Sequence, residues 1–298
     1  MTVVVTGSAG FLGAAVIREL QAAGRSYVGI DRRPSATDGA TLVADLLAGD
    51  CSVRDALTDA DAVIHLAARA GVRDRGRGID RARHQDNVQA TGLVLGLVPQ
   101  RTPVVVTSSS SVYGGARGRP CAESDVLRPR GGYARSKVEV ERLCARRGAA
   151  GGEVAVARPF TVIGEGQRAD MALARWAADA RAGRPLTVLG SLERTRDVTD
   201  VRVVAATLLS MLERGVRTTV NIGSGQPRSL GSLVAAVARA VELPVEVRIV
   251  PAAIDEPHDT HADTSRLQRL LGARPATDVE DAVRRAVRSA ARPLVLTP

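Results

Sequence analysis

The sequence predicts an α/β fold, in which a doubly wound parallel sheet is followed by a smaller C-terminal lobe. Short β-rich runs alternate with amphipathic helical patterns through the first half of the chain, as in successive βαβ units. A glycine-rich turn joins the first run to the first helical pattern, as in sheets that bind nucleotides. After Pro159 the alternation loosens, and helices predominate. Together these observations predict a Rossmann-type sheet with a second, smaller lobe.

Each predicted element follows from a local pattern of apolar residues. Buried parallel strands are predicted at 3–6, 27–30, 61–67, 103–109 and 153–159. Helices are predicted between them, at 11–24, 52–59, 84–98 and 132–147. The second half is predicted to contain helices at 170–182, 202–214, 230–241 and 278–290, and short strands at 219–222 and 245–250. These elements divide the chain into a domain over 1–160 and a lobe over 161–298, with parts of about 194–225 folding back onto the first domain.

One arginine-rich segment, 69–86, lacks a clear apolar period and is predicted to be a mobile loop. It is either a solvated surface loop or a flap over an anionic substrate, and the sequence leaves both interpretations open.

The composition narrows the class of protein. The net charge is +9, but aromatic residues are only 2% of the chain and the arginines are spread along it, so nucleic-acid binding is not expected. The absence of long apolar runs predicts no membrane span. The three cysteines form no CxxC pair, which favours reduced thiols in a cytoplasmic protein and predicts no metal site. A positive surface would still attract an anionic small molecule.

The first strand runs into a turn with the spacing GxxGxxG, formed by Gly7, Gly10 and Gly13. Glycines allow the backbone to turn tightly and to approach a diphosphate at the N-terminus of the following helix. Phe11 and Leu12 lie within the same turn. A strand before it and a helix after it are the context that a dinucleotide site requires.

The end of the second strand favours NAD over NADP. Asp31 stands where a carboxylate accepts hydrogen bonds from both ribose hydroxyls and repels a 2′-phosphate. Arg32 and Arg33 follow directly, which leaves NADP open as the less favoured cofactor. Further cofactor contacts are predicted at Asp45 and Leu46 beside the adenine, at Leu66, Ala67 and Ala68 after the 61–67 strand, and at Asn87 and Pro159.

The segment GGYARSKVEV carries the strongest candidate for chemistry. Its Lys137 is the only lysine in the chain, whereas every other basic residue is arginine. Tyr133 and Lys137 are four residues apart, so they share one face of the predicted helix. An ammonium beside a phenol is expected to lower the phenol pKa from about 10, and such a phenol can remove a proton from a sugar hydroxyl while hydride leaves the same carbon. A run of four serines, 108–111, lies at the end of the 103–109 strand, and one of its hydroxyls can bridge this phenol and a substrate oxygen.

The order of these motifs resembles the extended short-chain dehydrogenases/reductases of the sugar-nucleotide epimerase/dehydratase group. The resemblance covers nearly the whole chain. It implies that domain 1–160 binds NAD, that the lobe 161–298 mainly binds substrate, and that Ser109, Tyr133 and Lys137 are catalytic, with Lys137 also holding the nicotinamide ribose.

Four segments are most similar to UDP-glucuronate 4-epimerases. They are the run SSSSVYG, the segment ending at Arg73, the segment FTVIG followed by QRADMA, and Arg196-Asp197. The resemblance implies contacts of Arg73, Arg168 and Arg196 with the substrate, with Arg196 on its diphosphate. It also implies that Ser110, Ser111 and Thr161 hold a carboxylate. Glu165 departs from the family pattern, because a carboxylate near a diphosphate is unfavourable unless it points away.

These observations predict 4-epimerisation of UDP-glucuronate to UDP-galacturonate, through a 4-keto intermediate and without decarboxylation. Alternatives are a UDP-glucose/galactose 4-epimerase, an NAD(P)H-dependent keto-sugar reductase and a non-catalytic nucleotide-sensing protein. The apolar stripes of helices 84–98 and 132–147 predict a homodimer, since the matching helices of this family form a four-helix bundle.

Overall fold

The computed structural model describes residues 1–35, 39–71, 76–272 and 276–290. Its strands are β1 (Thr2–Thr6), β2 (Ser26–Asp31), β3 (Thr41–Val43), β4 (Ala62–His65), β5 (Val104–Thr107), β6 (Val154–Pro159), β7 (Thr161–Ile163), β8 (Leu186–Leu189), β9 (Thr195–Asp200), β10 (Thr219–Ile222), β11 (Pro227–Ser229) and β12 (Val247–Val250). Its α-helices are α1 (Phe11–Ala22), α2 (Cys51–Thr58), α3 (Ile79–Arg83), α4 (Ala90–Leu97), α5 (Gly131–Ala149), α6 (Ala172–Arg181), α7 (Val201–Glu213), α8 (Leu230–Val241), α9 (Ser265–Leu271) and α10 (Val279–Ala290).

A parallel seven-stranded sheet forms the centre of the molecule, in the order β10-β6-β5-β4-β1-β2-β3. The predicted Rossmann-type fold is therefore confirmed. The direction of winding reverses at β1, which pairs with β2 on one side and β4 on the other. Ligands of such sheets bind beyond the carboxyl ends of the strands at this reversal. The turn after β1 and the ends of β4 and β5 thus lie at the expected edge.

Two apolar layers cover the sheet. One packs α1 and α7 on one face, around Val3, Ile17 and Leu208, and the other packs α2, α4 and α5 on the opposite face, around Val4, Val94 and Val140. The residues named in the two layers are almost completely buried. Burial of apolar side chains on both faces is the main source of stability for a parallel sheet.

The second half of the chain adds to the large sheet and also forms two smaller sheets. Strand β10 pairs with β6 at the edge of the large sheet, and α7 packs against α1. The remaining strands form a three-stranded sheet, β11-β9-β7, and a two-stranded sheet, β12-β8. Helices α6, α8 and α10 enclose a separate apolar cluster with them, around Trp176. Within the described ranges, no helix is long and apolar enough to cross a bilayer.

The interpretation of 69–86 as a mobile loop is wrong over its second half. Residues 79–83 form α3, and residues 84–89 continue it as a π-helical segment that leads into α4. The reason is that Arg83 is buried, where its guanidinium donates to the Gly71 carbonyl and to Asp80. A buried arginine occupies a position where the prediction looks for an apolar residue, so the helix shows no apolar periodicity in the sequence. Arg73 lies outside the described residues.

Candidate active site

The turn after β1 has the geometry that the glycine spacing predicts. Gly7 has a φ of 73°, and a Cβ there would lie 2.7 Å from the Ala67 nitrogen. A Cβ on Gly13 would lie 2.0 Å from the Gly7 carbonyl oxygen. Gly10 is the N-cap of α1 and provides no side-chain acceptor for the first amides of the helix. The helix therefore presents its N-terminal N–H groups to a ligand, and the turn fits the diphosphate of a dinucleotide.

Asp31 lies at the end of β2, directly beside this turn. Its carboxylate accepts hydrogen bonds from the Ala9 and Arg33 amides, at 3.1 and 3.0 Å. These bonds fix the carboxylate where a ribose would lie. The residues present therefore fit the adenosine half of NAD.

Arg32 is held by two carboxylates. Its guanidinium forms ion pairs with Asp45 at 2.9 Å and with Asp86 at 2.7 Å, and its hydrogen bond to Asp86 is the main cause of a raised pKa. Asp86 also accepts from Arg69 at 2.6 Å. Because these carboxylates already neutralise Arg32, a 2′-phosphate gains little from it. This arrangement agrees with NAD as the cofactor.

The segment after β4 passes close to the glycine turn. The Leu66 amide donates to the Thr6 carbonyl at 3.1 Å, and the Ala67 amide lies 3.3 Å from the Thr6 hydroxyl. His65, which ends β4, is bound on both ring nitrogens by the hydroxyls of Thr6 and Thr91. Burial lowers the pKa of His65 to about 3, with Lys137 adding to the effect, so the ring stays neutral. His65 is therefore a structural residue.

Four other predicted cofactor residues lie around the same edge. Leu46 and Pro159 are buried, and Ala68 is half-buried. Asn87 is buried in the π-helical segment, where it accepts from the Arg69 amide at 2.7 Å and donates to the Ser136 hydroxyl at 2.9 Å. Its amide thus connects the segment after β4 to helix α5, which carries Tyr133.

The serine run turns sharply after β5. Ser109 is the N-cap of a short 3-10 helix, Ser110–Tyr113, and its hydroxyl accepts from the Ser111 amide at 3.1 Å. The same hydroxyl lies near the Tyr133 phenol and lowers its pKa against the effect of burial. The hydroxyls of Ser111 and Thr107 are buried and have no hydrogen-bond partner among the residues that the structure describes. Buried hydroxyls normally have a hydrogen-bond partner. These two hydroxyls are therefore available to form hydrogen bonds with a bound ligand.

Lys137 lies one helical turn after Tyr133 and is almost completely buried. Its ammonium donates to the Thr107 carbonyl at 2.8 Å, which attaches α5 to the end of β5. Burial lowers the pKa of Lys137 to about 8, and the nearby Cys144 and Glu141 oppose this shift. A buried lysine is costly unless a specific acceptor holds it, and a wider guanidinium would not fit the same position equally well.

The expected lowering of the Tyr133 pKa by Lys137 is wrong in this structure. Burial raises the pKa of Tyr133, and the groups that oppose this rise are the Ser109 hydroxyl and the charges of Arg168 and Arg83. The physical reason is that the Lys137 ammonium donates to the Thr107 carbonyl, whereas the charges of the two arginines act on the phenol. The sequence analysis did not identify Arg83 as a neighbour of Tyr133.

Two arginines that the resemblance assigns to the substrate are held by acidic partners. Arg168 forms two hydrogen bonds with Asp170, at 2.8 and 2.6 Å. Arg196, in β9, forms an ion pair with Glu256 at 2.7 Å and donates to the His258 carbonyl at 3.0 Å. Thr161 begins β7 and is half-buried. These residues come from distant parts of the chain.

The Glu165 carboxylate is held by arginines. Its carboxylate pairs with Arg202 at 2.7 Å and also with Arg285, while Arg18 lies 3.7 Å away. These partners lower the pKa of Glu165 against the effect of burial. Arginines thus offset the charge of Glu165, and this departure from the family pattern does not leave an unpaired carboxylate among the described residues.

The sequence analysis missed two further features near the site. Gln167 is buried, and neither atom of its amide has a partner among the described residues. Glu141 and Arg158 form an ion pair behind the serine run. A sequence signal existed for Glu141 alone, because it follows Tyr133 and Lys137 at the same four-residue interval.

Comparison with known proteins agrees with this geometry. Residues 3–223 match the model of the NAD dependent epimerase/dehydratase family. The probable UDP-glucuronate 4-epimerase of Rhizobium meliloti is 29% identical, over 96% of this chain and 96% of its own length.

Solved structures are similar over almost the whole chain. UDP-glucuronic acid 4-epimerase from Bacillus cereus, solved with UDP-glucuronic acid and NAD, has a TM-score of 0.89 and 26% identity, over 97% of this chain and 99% of its own. MoeE5, solved with UDP-glucose and NAD, has a TM-score of 0.86 and 33% identity, over 97% and 98%. MoeE5 has also been solved with UDP-glucuronic acid and NAD.

The matches confirm the predicted cofactor, NAD, and the predicted class of enzyme, an NAD-dependent sugar-nucleotide 4-epimerase. The roles of individual residues stay predictions. With a glycine turn that fits a dinucleotide, a serine–tyrosine–lysine cluster beside it and a family model that spans both, the chain belongs to the NAD dependent epimerase/dehydratase family, within the extended short-chain dehydrogenases/reductases.

Proposed function

We propose that this enzyme interconverts UDP-glucuronate and UDP-galacturonate at C4, without decarboxylation. The observation that carries the proposal is the set of hydroxyls around the catalytic tyrosine. Ser110 and Ser111 follow Ser109 where related dehydratases and decarboxylases carry acids, and the buried Ser111 hydroxyl has no partner among the described residues. A neutral hydroxyl can hold a substrate carboxylate without protonating it.

In the proposed reaction, Tyr133 removes the proton of the C4 hydroxyl, and Ser109 holds the same substrate oxygen. When bound, NAD accepts the C4 hydride and later returns it to the opposite face of the sugar. The 4-keto sugar turns about its diphosphate between these two steps, and Tyr133 then returns the proton. Arg83 and Arg168 favour the ionised phenol, because their charges lower its pKa against the effect of burial.

Retention of the carboxylate follows from the same set of residues. The 4-keto intermediate of a uronate is a β-keto acid, which loses CO₂ readily when a nearby acid assists. Ser110, Ser111 and Thr161 offer no such acid. Glu141, behind the serine run, directs both carboxylate oxygens to Arg158 and Ser108 and is not a proton donor to the sugar.

The diphosphate is proposed to bind Arg196, with Arg168 nearer the sugar. Both guanidiniums are already oriented by carboxylates, Glu256 and Asp170. A diphosphate carries more charge than either carboxylate and can accept bidentate hydrogen bonds from arginine. We therefore propose that the bound diphosphate replaces or shares these ion pairs. The arginines then hold the diphosphate in place while the 4-keto sugar rotates.

Incubation of the purified protein with UDP-glucuronate and no added cofactor tests the proposal. We expect UDP-galacturonate by chromatography, with no CO₂ and no net NADH. A UDP-pentose product would contradict the retention of the carboxylate. Replacement of Ser110, Ser111 and Thr161 by alanine, one at a time, should lower the preference for UDP-glucuronate over UDP-glucose, and an unchanged preference would contradict the carboxylate assignment.

A UDP-glucose 4-epimerase is the second candidate, supported by the similarity to MoeE5, which has been solved with both sugars. Conversion of UDP-glucose alone would favour it. A keto-sugar reductase would instead consume added NADH or NADPH.

We also propose a cytoplasmic homodimer joined through α4 and α5. The basis is the apolar stripes of these helices and the arrangement of matching helices in the family. A monomer mass in solution at micromolar concentration would contradict the dimer.

A further inference from the structure

A buried ion pair lies directly behind the serine run. Arg158 of β6 donates to both carboxylate oxygens of Glu141 of α5, at 2.9 and 2.6 Å. Only 5% of the Arg158 side chain and 10% of the Glu141 side chain are exposed. A buried pair of this kind adds little net stability, because both ions lose their hydration. Its presence beside a catalytic cluster therefore calls for another explanation.

Glu141 contacts the catalytic cluster from two directions. The Ser108 hydroxyl donates to its carboxylate at 2.5 Å, and Ser108 immediately precedes Ser109. Glu141 also lies one turn after Lys137 on α5. The Lys137 ammonium donates to the Thr107 carbonyl at 2.8 Å. Residues 107 and 108 at the end of β5 are thus attached to α5 at two successive points.

The far side of Arg158 is held independently. Its guanidinium donates to the Tyr113 hydroxyl at 2.7 Å, and that hydroxyl donates to Asn221 of β10, also at 2.7 Å. The Tyr113 ring lies beneath the guanidinium, 5.0 Å from its carbon. Contacts other than Glu141 therefore fix the position of Arg158, and Arg158 in turn orients Glu141.

We propose that Glu141 is a positioning residue for catalysis, whose carboxylate, oriented by Arg158, fixes the serine strand end against helix α5 and faces the Lys137 ammonium. The inference depends on the enzyme class and on the proposed roles of Ser109, Tyr133 and Lys137, and it is independent of the sugar. A shift of about 1 Å between Ser109 and Tyr133 would break their shared contact with one substrate oxygen.

The charge of Glu141 has a separate consequence for Lys137. The groups that face this ammonium are Glu141 and Cys144 on its own helix, His65 on β4 and the Thr107 carbonyl on β5. His65 is neutral, and burial raises the pKa of Cys144 to about 12, so that thiol is also neutral. Glu141 is therefore the negative charge that opposes desolvation of Lys137. Without it, the pKa of Lys137 falls further.

A pair of conservative variants separates positioning from stability. Ser108→Ala removes the hydroxyl that joins Glu141 to the serine run. Thr102→Val removes a buried hydroxyl that donates to the Ala60 carbonyl, before the start of β5, whereas the serine run follows the end of that strand. We expect Ser108→Ala to lower kcat about tenfold with KM within about twofold, because geometry at the reacting atoms changes. Thr102→Val should lose a similar amount of thermal stability and keep kcat within about twofold. Equal effects of the two variants on kcat would overturn the proposal.

The pH profile of Glu141→Gln provides the second test, since the amide keeps the shape and removes the charge. The proposed role of the Lys137 ammonium is to hold the nicotinamide ribose, so its deprotonation should lower kcat at alkaline pH. A lowered Lys137 pKa moves this loss of kcat to lower pH, and we expect a shift of about one pH unit. Ser108→Ala should leave this alkaline limb in place. An unshifted limb in folded, NAD-containing Glu141→Gln protein would contradict the electrostatic part of the proposal. If Glu141→Gln does not fold, the Ser108→Ala and Thr102→Val comparison still decides the positioning part.

Discussion

The cofactor end and the proposed substrate end of the candidate site are built in different ways. The cofactor end depends on backbone geometry within one stretch of chain, where Gly7 has a positive φ and a Cβ on Gly13 would meet the Gly7 carbonyl. The substrate end depends on side chains from distant segments, such as Arg196 of β9 held by Glu256. The contrast teaches that the first site is encoded locally, whereas the second is encoded by pairing across the fold.

The proposed catalytic residues should show the largest effect. Tyr133→Phe removes the hydroxyl that transfers the C4 proton, and we expect kcat to fall by about 10³-fold. Burial of the ring is unchanged, so NAD and UDP-sugar binding should persist. Turnover is measured by chromatography and binding by calorimetry. A fall of less than tenfold would assign proton transfer to another group.

A substitution in the glycine turn should reduce NAD binding by changing the backbone geometry. Gly13→Ala places a Cβ 2.0 Å from the Gly7 oxygen, so the turn must open and we expect loss of bound NAD. Overpacking of this kind costs about 1–3 kcal/mol of unfolding free energy. Thermal melting and the NAD content of the purified protein measure the two effects.

Gly96→Ala is the matched control for this substitution, since a Cβ there has no atom within 4 Å. It should keep NAD and gain slight stability, because alanine favours the helix. Equal NAD contents in the two variants would contradict the role given to the turn.

The substrate end should fail through affinity instead. Arg196→Ala removes the proposed diphosphate anchor, and we expect KM for the UDP-sugar to rise about tenfold to a hundredfold with a smaller change in kcat. Arg228 is the matched control, because it is exposed and lies opposite Arg196 in the neighbouring strand. Arg228→Ala should leave KM within about twofold. A similar rise in both variants would point to general attraction of charge.

The smallest effect is expected at the ribose. Asp31→Asn keeps the shape of the side chain and loses the charge that strengthens its hydrogen bonds, so NAD affinity should fall about tenfold. Affinity for NADP should fall less or rise, since the repulsion of a 2′-phosphate is removed. Titration of cofactor-free protein with both dinucleotides measures the ratio. An unchanged ratio would show that the paired Arg32 decides cofactor choice.

The sequence predicted most helices and strands to within a few residues, and the comparisons confirm the fold, the family and NAD. Those predictions succeeded because apolar periodicity and glycine spacing are local signals. The prediction for 69–86 failed because Arg83 is buried through contacts with Gly71 and Asp80. The predicted lowering of the Tyr133 pKa failed because spacing on a helix gives a shared face and not the direction of a long side chain.

The sequence by itself determined the order of strands and helices, the glycine turn and the presence of Ser109, Tyr133 and Lys137, because each depends on residues close together in the chain. Only the tertiary structure decided that Lys137 bonds the Thr107 carbonyl, that the charges of Arg83 and Arg168 act on Tyr133, and that Glu165 turns toward Arg202. Charged side chains in a buried site choose among several partners, and burial and distance select the partner only after the chain has folded.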